Sequence, residues 1–417
     1  MLILLNAASF AQLSDNYFNY DNCKASVGIN ASYEISSNSI STKFLNTYLW
    51  GNSIDSLNKQ WMFALLKPNN TLGCDLQGGI SYVVYPDTLF GKTNMGLFVK
   101  YNKYYHVDMS FTRDICELFF NGNQQFAGET ADLSNSSLNV INYEQIQFGI
   151  LEKFGEGKLK HTFGIGLSLN NGYNNTTVNI KNGSLYTDPN AEYINFSANY
   201  DVFRSDSSNK SAVFKGIGTS VNIYYSFETP NKNTFQFELT NLGFIGWGRH
   251  AQQLSKDTSI HFTGVNVTDI LNIQGNVFHN ANADSILHAY TYSKKSSPYT
   301  TLTPACLKLS YTFKFLLKAR MQFLIQKYFF SNYAPLFMVK VMYQPTKRNI
   351  VSLNFNYGGY QSDDITENHN VNTGLELAHD FGKGLIMIAG TNYLNGYLWQ
   401  YSQTGQGVYF TIKKYFL

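Results

Sequence analysis

Residues Leu159 to Asn170 read LKHTFGIGLSLN. His161, Phe163, Ile165, Leu167 and Leu169 share one parity; Lys160, Thr162, Gly164, Gly166, Ser168 and Asn170 share the other. Side chains of a β-strand point alternately to opposite faces, so this stretch predicts a strand with one apolar and one polar side. A soluble sandwich also alternates, but its solvent face carries Lys, Glu and Thr in quantity. Here the polar face is built from small groups, Gly, Ser, Thr and Asn, which suits the inside of a barrel whose outer face meets lipid.

The pattern recurs along the chain. In VFKGIGTSVNIYYSF (213–227), Ile217, Val221, Ile223, Tyr225 and Phe227 oppose Gly216, Gly218, Ser220, Asn222 and Ser226. ACLKLSYTFKF (305–315) and NIVSLNFNY (349–357) alternate in the same way. Roughly fifteen such segments run from 25–34 to 406–416, with one at 192–202. Bacterial single-chain barrels favour even strand numbers, so the first segment is assigned to an N-terminal element and about 14 strands to the wall.

Composition points the same way. Charged residues are 14% of the 417, well below a soluble domain, while aromatics reach 16% with 30 Tyr and 32 Phe. Mean hydropathy is nevertheless only −0.22, because the polar face of each strand offsets the apolar one. No apolar run reaches the length of a spanning helix, and the net charge of +3 implies no nucleic-acid partner. The expected fold is therefore an all-β transmembrane antiparallel barrel in the bacterial outer membrane, surrounded by outer-membrane lipid. The final strand, GQGVYFTIKKYFL, alternates and carries Phe416 next to its end, resembling the signal by which such barrels are inserted.

Residues 1–11, MLILLNAASFA, read as a secretory signal peptide lacking the usual basic start. Residues 12–417 then form a single barrel domain, with 12–70 a plug-like N-terminal segment. Three intervals do not alternate: 40–65, 112–128 with Thr112 as a helix cap, and 267–290 with Thr268 as a cap. These predict short helical insertions that fill the lumen or form an extracellular lid. Cys23, Cys74, Cys116 and Cys306 lack metal-ligand spacing, and sequence leaves their pairing open.

One stretch departs from the pattern. TNLGFIGWGRHAQ (240–252) has the glycine content of an anion-binding loop, yet its G-x-x-G-x-G order is wrong, and no Lys followed by Ser or Thr closes it. Phe235, Phe237 and Leu239 have one parity, whereas Leu242 and Phe244 have the other. One extra residue near Asn241 and Gly243, a β-bulge, would return them all to one face. Trp247 then falls at the strand end as a membrane-interface anchor.

Little in the chain speaks for catalysis. None of the eight histidines is spaced as a metal site, and G-x-S-x-G is absent. No catalytic, cofactor-binding or metal residue is assigned, and no enzyme activity or cofactor is expected. Lys308, Lys314, Lys318, Arg320 and Lys340 share the polar parity of three successive strands and predict a lumenal basic stripe favouring anionic solutes. The plainer reading is a set of ion pairs with lumenal acids such as Glu238, Asp75 and Glu376.

Four blocks carry a family resemblance: FFNGNQQFAGETADLSN (119–135), FELTNLGFIGW (237–247), IHFTGVNVTDIL (260–271) and YTTLTPACLKLSYTF (299–313). They resemble an uncharacterised outer-membrane β-barrel family of type IX-secreting bacteria, related in architecture to long-chain fatty-acid transporter barrels. The resemblance implies a fourteen-strand-type barrel and no recognised enzymatic activity. Two function classes follow. The first is a plugged conduit for small or amphipathic solutes. The second is a non-conducting barrel that anchors or scaffolds a secretion or surface-adhesion complex.

Overall fold

A computed structural model describes residues 18, 20, 23–51, 53–155, 159–205, 214–263, 295–361 and 371–417. The first half of the chain supplies β1 (Ala25–Ser37), β2 (Asn69–Val84), β3 (Met95–Thr112), the short β4 (Thr130–Asp132), β5 (Ser136–Phe154) and β6 (Lys160–Thr187). After these come β7 (Ile194–Arg204), β8 (Gly216–Glu228), β9 (Thr234–Trp247) and β10 (Gln252–Phe262). The second half adds β11 (Lys295–Ser296), β12 (Tyr299–Leu302), β13 (Cys306–Leu316), β14 (Ala319–Tyr328) and β15 (Ala334–Thr346). It ends with β16 (Asn349–Gly359), β17 (Val371–Gly382), β18 (Leu385–Thr391) and β19 (Gly405–Phe416).

The wall runs β1-β2-β3-β5-β6-β8-β9-β13-β14-β15-β16-β17-β18-β19, every neighbour antiparallel. It closes where β19 pairs with β1 from Ala25–Phe416 to Ser36–Gly405. Closure into a 14-strand ring leaves no edge, so every wall strand has a partner on both sides, as lipid requires. The long β6 pairs with β8 over its first half and with β7 over its second; β7 in turn pairs with β10, forming a flap beyond the ring.

Alternation decides which face each side chain takes. Ile80, Tyr82, Val99, Ile146, Phe148, Ile165, Leu167, Leu169, Leu353 and Phe355 are exposed on the outside, whereas Lys100, Gln145, Gln147, Ser168, Asn170, Ser220, Ser352 and Asn354 are buried inside. The outer set is the belt that lipid covers. Outer-membrane barrels keep their short turns in the periplasm. That rule places the tight β13–β14, β15–β16 and β17–β18 connections, the start of β1 and the end of β19 at the periplasmic rim.

Among the described residues, four α-helices interrupt the strands: α1 (Thr42–Leu49), α2 (Ser56–Leu65), α3 (Arg113–Asn121) and α4 (Leu394–Leu398). Capping fixes the first three, because Ser41, Asp55 and Thr112 accept from the N–H groups of Phe44, Asn58 and Ile115. Their apolar sides pack with Ile35, Leu72, Cys74, Met109 and Phe111, all on outward-facing parities of β1, β2 and β3.

Three expectations are corrected here. The segment at 25–34 is a wall strand, because its apolar parity has lipid to face and its backbone closes the ring; it is not part of a plug. The alternating segment omitted from the wall is instead 192–202, which forms the flap strand β7. Among the described residues of 12–70, the lumen is reached by the inward parity of β1, with Gly28, Ser32 and Glu34, and by the residues before β1. There Phe18 packs on Met342, Ile350 and Tyr415, and Tyr20 stacks on Tyr415 at 4.8 Å and donates to Asp380 Oδ2 at 2.8 Å. Helices α1, α2 and α3 lie outside the wall, since the strand faces that they cover point outward; they neither fill the lumen nor form a lid. The expected signal peptide at 1–11 and the helical insertion at 267–290 lie outside the described residues. The four cysteines are free thiols.

Candidate functional site: a break in the wall and the voids behind it

On β8, Val221 faces Leu242, but Ile223 faces Leu239, so Asn222 alone stands opposite Thr240 and Asn241. Two residues against one is a bulge. Asn241 has φ 59°, a left-handed conformation that Asn tolerates better than most residues. Gly243 is required by close approach, since a Cβ there would lie 2.1 Å from the Thr219 carbonyl oxygen.

The offset reaches the other neighbour of β9. Pairing with β13 ends at Thr240–Cys306 and resumes with β12 at Phe244–Leu302. Between them Thr303, Pro304 and Ala305 face Asn241, Leu242 and Gly243 with no ladder pair. Pro304 has no N–H to give, which favours the interruption. The blocks 237–247 and 299–313 that carried the family resemblance are therefore partners in space, and they meet at this break.

Lumenal side chains satisfy the interrupted backbone. Asn222 Oδ1 accepts from the Asn241 N–H, and Gln145 Nε2 donates to Asn241 Oδ1 at 3.0 Å and to Ser220 Oγ at 3.0 Å. Thr303 donates its N–H to Gly243 O at 3.0 Å and its hydroxyl to Asn241 O at 2.5 Å. Without these amides and hydroxyls, buried polar backbone would be left unpaired at about 1–3 kcal/mol per group.

Three voids lead inward from the break. A void of 20 Å³ touches Asn241, Pro304 and Cys306 and is closed by Asp75, Gln77 and Tyr328. Those three residues also line a cavity of 170 Å³ in mid-barrel. Lys413 and Tyr415 are shared in turn with a vestibule of 720 Å³ near the periplasmic rim. Above them the lumen is filled by aromatic clusters. Tyr104 stacks on Tyr143 at 4.8 Å beside Ile141, Ile245 and Trp247; Tyr333 meets Tyr360 edge-on at 5.1 Å. Side chains of the wall strands and of the connections beside them thus crowd the extracellular half.

The mid-barrel cavity carries Glu34, Asp75 and Glu376 alongside Lys308, Lys340 and Lys413, among Tyr, Leu, Met and Ile side chains. Lys340 Nζ lies 3.0 Å from Glu376 Oε2, which also accepts from Tyr409 at 2.8 Å. Tyr393 donates to Glu34 at 2.6 Å, and His106 Nδ1 lies 2.7 Å from Asp75. The lining is amphipathic and balanced in charge.

The residues of the expected basic stripe occupy two places. Lys308 and Lys340 are buried at the cavity, Lys308 directly opposite Glu238 and Lys340 beside Glu376. Lys314 and Arg320 face each other across β13 and β14 at the periplasmic end; both are exposed, as is Lys318 in the turn between them. The expectation for Trp247 is corrected. Only 2% exposed, it points into the lumen and donates to Thr301 Oγ1 at 2.9 Å. The bulge that turns Leu242 and Phe244 outward turns Ile245 and Trp247 inward. His161 lies on the outer face, stacked between Phe154 at 5.0 Å and Phe227 at 4.8 Å, a packing role.

The tyrosine clusters and the break at Thr303–Ala305 are not marked by the alternation of the sequence. A proline inside an otherwise alternating run, as at Pro304, was the available signal for the break.

A closed antiparallel ring with an apolar outer belt and a polar interior defines a β-barrel of the bacterial outer membrane. More particularly, the chain belongs to a family of unknown function, DUF5723, whose model matches residues 19–375. No curated protein matches it by sequence. Among solved structures it is similar to a deletion mutant of the monoaromatic hydrocarbon channel TodX, at 9% identity and TM-score 0.46, covering 99% of this chain and 96% of that one. It is also similar to a Pseudomonas aeruginosa FadL homologue at 8% identity and TM-score 0.41, covering 94% and 89%. The P. putida toluene transporter TodX matches at 9% identity and TM-score 0.39, covering 94% and 89%.

Proposed function

We propose that this barrel is a plugged conduit that passes small amphipathic solutes between the break in its wall and the periplasm. The observation that carries this reading is the series of voids that share lining residues from Asn241 and Pro304 to the vestibule. A cavity of about 150 Å³ accommodates a benzene ring, so the 170 Å³ chamber suits a monocyclic solute. Its paired carboxylates and amines suit a solute with a polar group attached. The aromatic clusters direct entry to the wall rather than through the extracellular mouth, and at the gap beside Pro304 the wall lacks the ladder pairs that flank it on both sides.

The exposed Lys314, Lys318 and Arg320 give the periplasmic mouth a preference for anions. Proteoliposomes test this with two monocyclic probes of fixed charge, benzenesulfonate and benzyltrimethylammonium. Both should enter faster than into empty vesicles, benzenesulfonate the more readily, and Lys314→Glu with Arg320→Glu should reverse that order. Entry no faster than into empty vesicles, together with co-purification of a large partner from native membranes, would favour the anchoring barrel instead.

A further inference from the structure

The chain has four tryptophans. Trp247 is in the lumen; the other three are exposed, Trp50 at the C-terminal end of α1, Trp61 on α2 and Trp399 in the segment following α4. Trp50 is 75%, Trp61 49% and Trp399 59% exposed, and Leu49, Leu57 and Leu398 beside them are exposed as well. Trp61 and Tyr401 rings approach to 6.2 Å, and Lys43 Nζ lies 5.9 Å from the same Tyr401 ring, which ties the three segments together.

The position of this collar is set by the wall beneath it. Gln406 of β19 faces outward, is buried under α1 and donates to Asn46 Oδ1 at 2.8 Å. Two residues nearer the periplasm, on the same face, Val408 is 47% exposed and belongs to the lipid belt. The change from lipid-facing to helix-covered wall takes place within about 7 Å of strand. The same change occurs on β2, between exposed Ile80 and helix-covered Cys74. The collar is thus continuous with the belt at its extracellular margin, where head groups replace acyl chains.

We infer that α1, α2 and the α4 segment form an interfacial collar bound to the outer leaflet, with Trp50, Trp61 and Trp399 seated at head-group level. Helices satisfy their own backbone hydrogen bonds and can therefore lie in that zone. Indole, with an apolar body and one N–H, partitions to it. An equal area of Trp and Leu facing water would carry a hydrophobic cost that lipid removes.

Tryptophan fluorescence tests the inference in the full chain reconstituted into phosphatidylcholine vesicles brominated high on the acyl chains, near the head group. Bromolipid should quench the wild-type protein strongly and aqueous iodide weakly. Most of the bromolipid quenching should be lost in the triple variant Trp50→Phe, Trp61→Phe, Trp399→Phe, which retains the lumenal Trp247. Three variants each keeping one collar tryptophan should each show it. Strong iodide quenching with little from bromolipid would overturn the inference by placing the collar in water, as would bromolipid quenching undiminished in the triple variant.

Discussion

Asn241 is where backbone geometry and side-chain chemistry meet. Its φ of 59° and its amide bond to Gln145 are separate contributions, and two substitutions separate them. Asn241→Gly should keep the bulge and lose about 1 kcal/mol with the amide bond. Asn241→Val adds a strained left-handed backbone of about 1–3 kcal/mol. The temperature at which the folded barrel loses its fast gel migration should therefore fall more for Val than for Gly. Equal shifts would mean that the left-handed backbone is not what the site depends on. The Lys340–Glu376 pair makes a second case. Lys340→Met leaves Glu376 buried with Ser352 and Tyr409 but without its amine, and should destabilise the barrel by about 3–5 kcal/mol, read by the same gel shift.

At the scale of the element, the chain's own periodicity reveals where the strands lie, because a side-chain period of two is imposed by geometry on every wall strand. The bulge near Asn241 and Gly243 is readable for the same reason, as a slip in parity. What parity cannot give is the partner. Residues 25–34 and 192–202 alternate alike, and only pairing assigns one to the wall and the other to a flap. Thr112 as a helix cap is likewise legible, yet a cap does not say which face of the wall its helix covers. Helix α3 lies against the outside of β3, and burial pushes the Cys116 thiol up to about 12. A raised thiol pKa keeps the group protonated and unreactive at neutral pH. Cys116 should stay unlabelled by maleimide in the folded protein and react once the barrel is denatured; labelling at the rate of a free thiol in the folded state would place α3 away from the wall.

For the whole molecule, composition suffices for the barrel, since few charges, many aromatics and small polar residues leave no other way to satisfy lipid outside and polar groups within. The interior is less legible. Its tyrosines meet through strand pairing that the sequence does not announce: Tyr104 stands opposite Tyr143 across β3 and β5, and Tyr333 and Tyr360 lie just beyond the paired ends of β15 and β16. The basic stripe fails as a single surface for a related reason: parity sets the face of Lys308 and Arg320 but not their height along the barrel, where one meets buried acids and the other the periplasmic rim. The voids from Asn241 to the vestibule depend on that three-dimensional arrangement, and on them rests the functional claim. The most direct measurement compares benzenesulfonate entry into vesicles carrying Ser32→Trp, which fills the 170 Å³ cavity from β1, with entry into vesicles carrying Leu353→Trp on the lipid face. The account predicts that Ser32→Trp abolishes entry while Leu353→Trp leaves it at the wild-type rate; equal entry through both folded variants would contradict it.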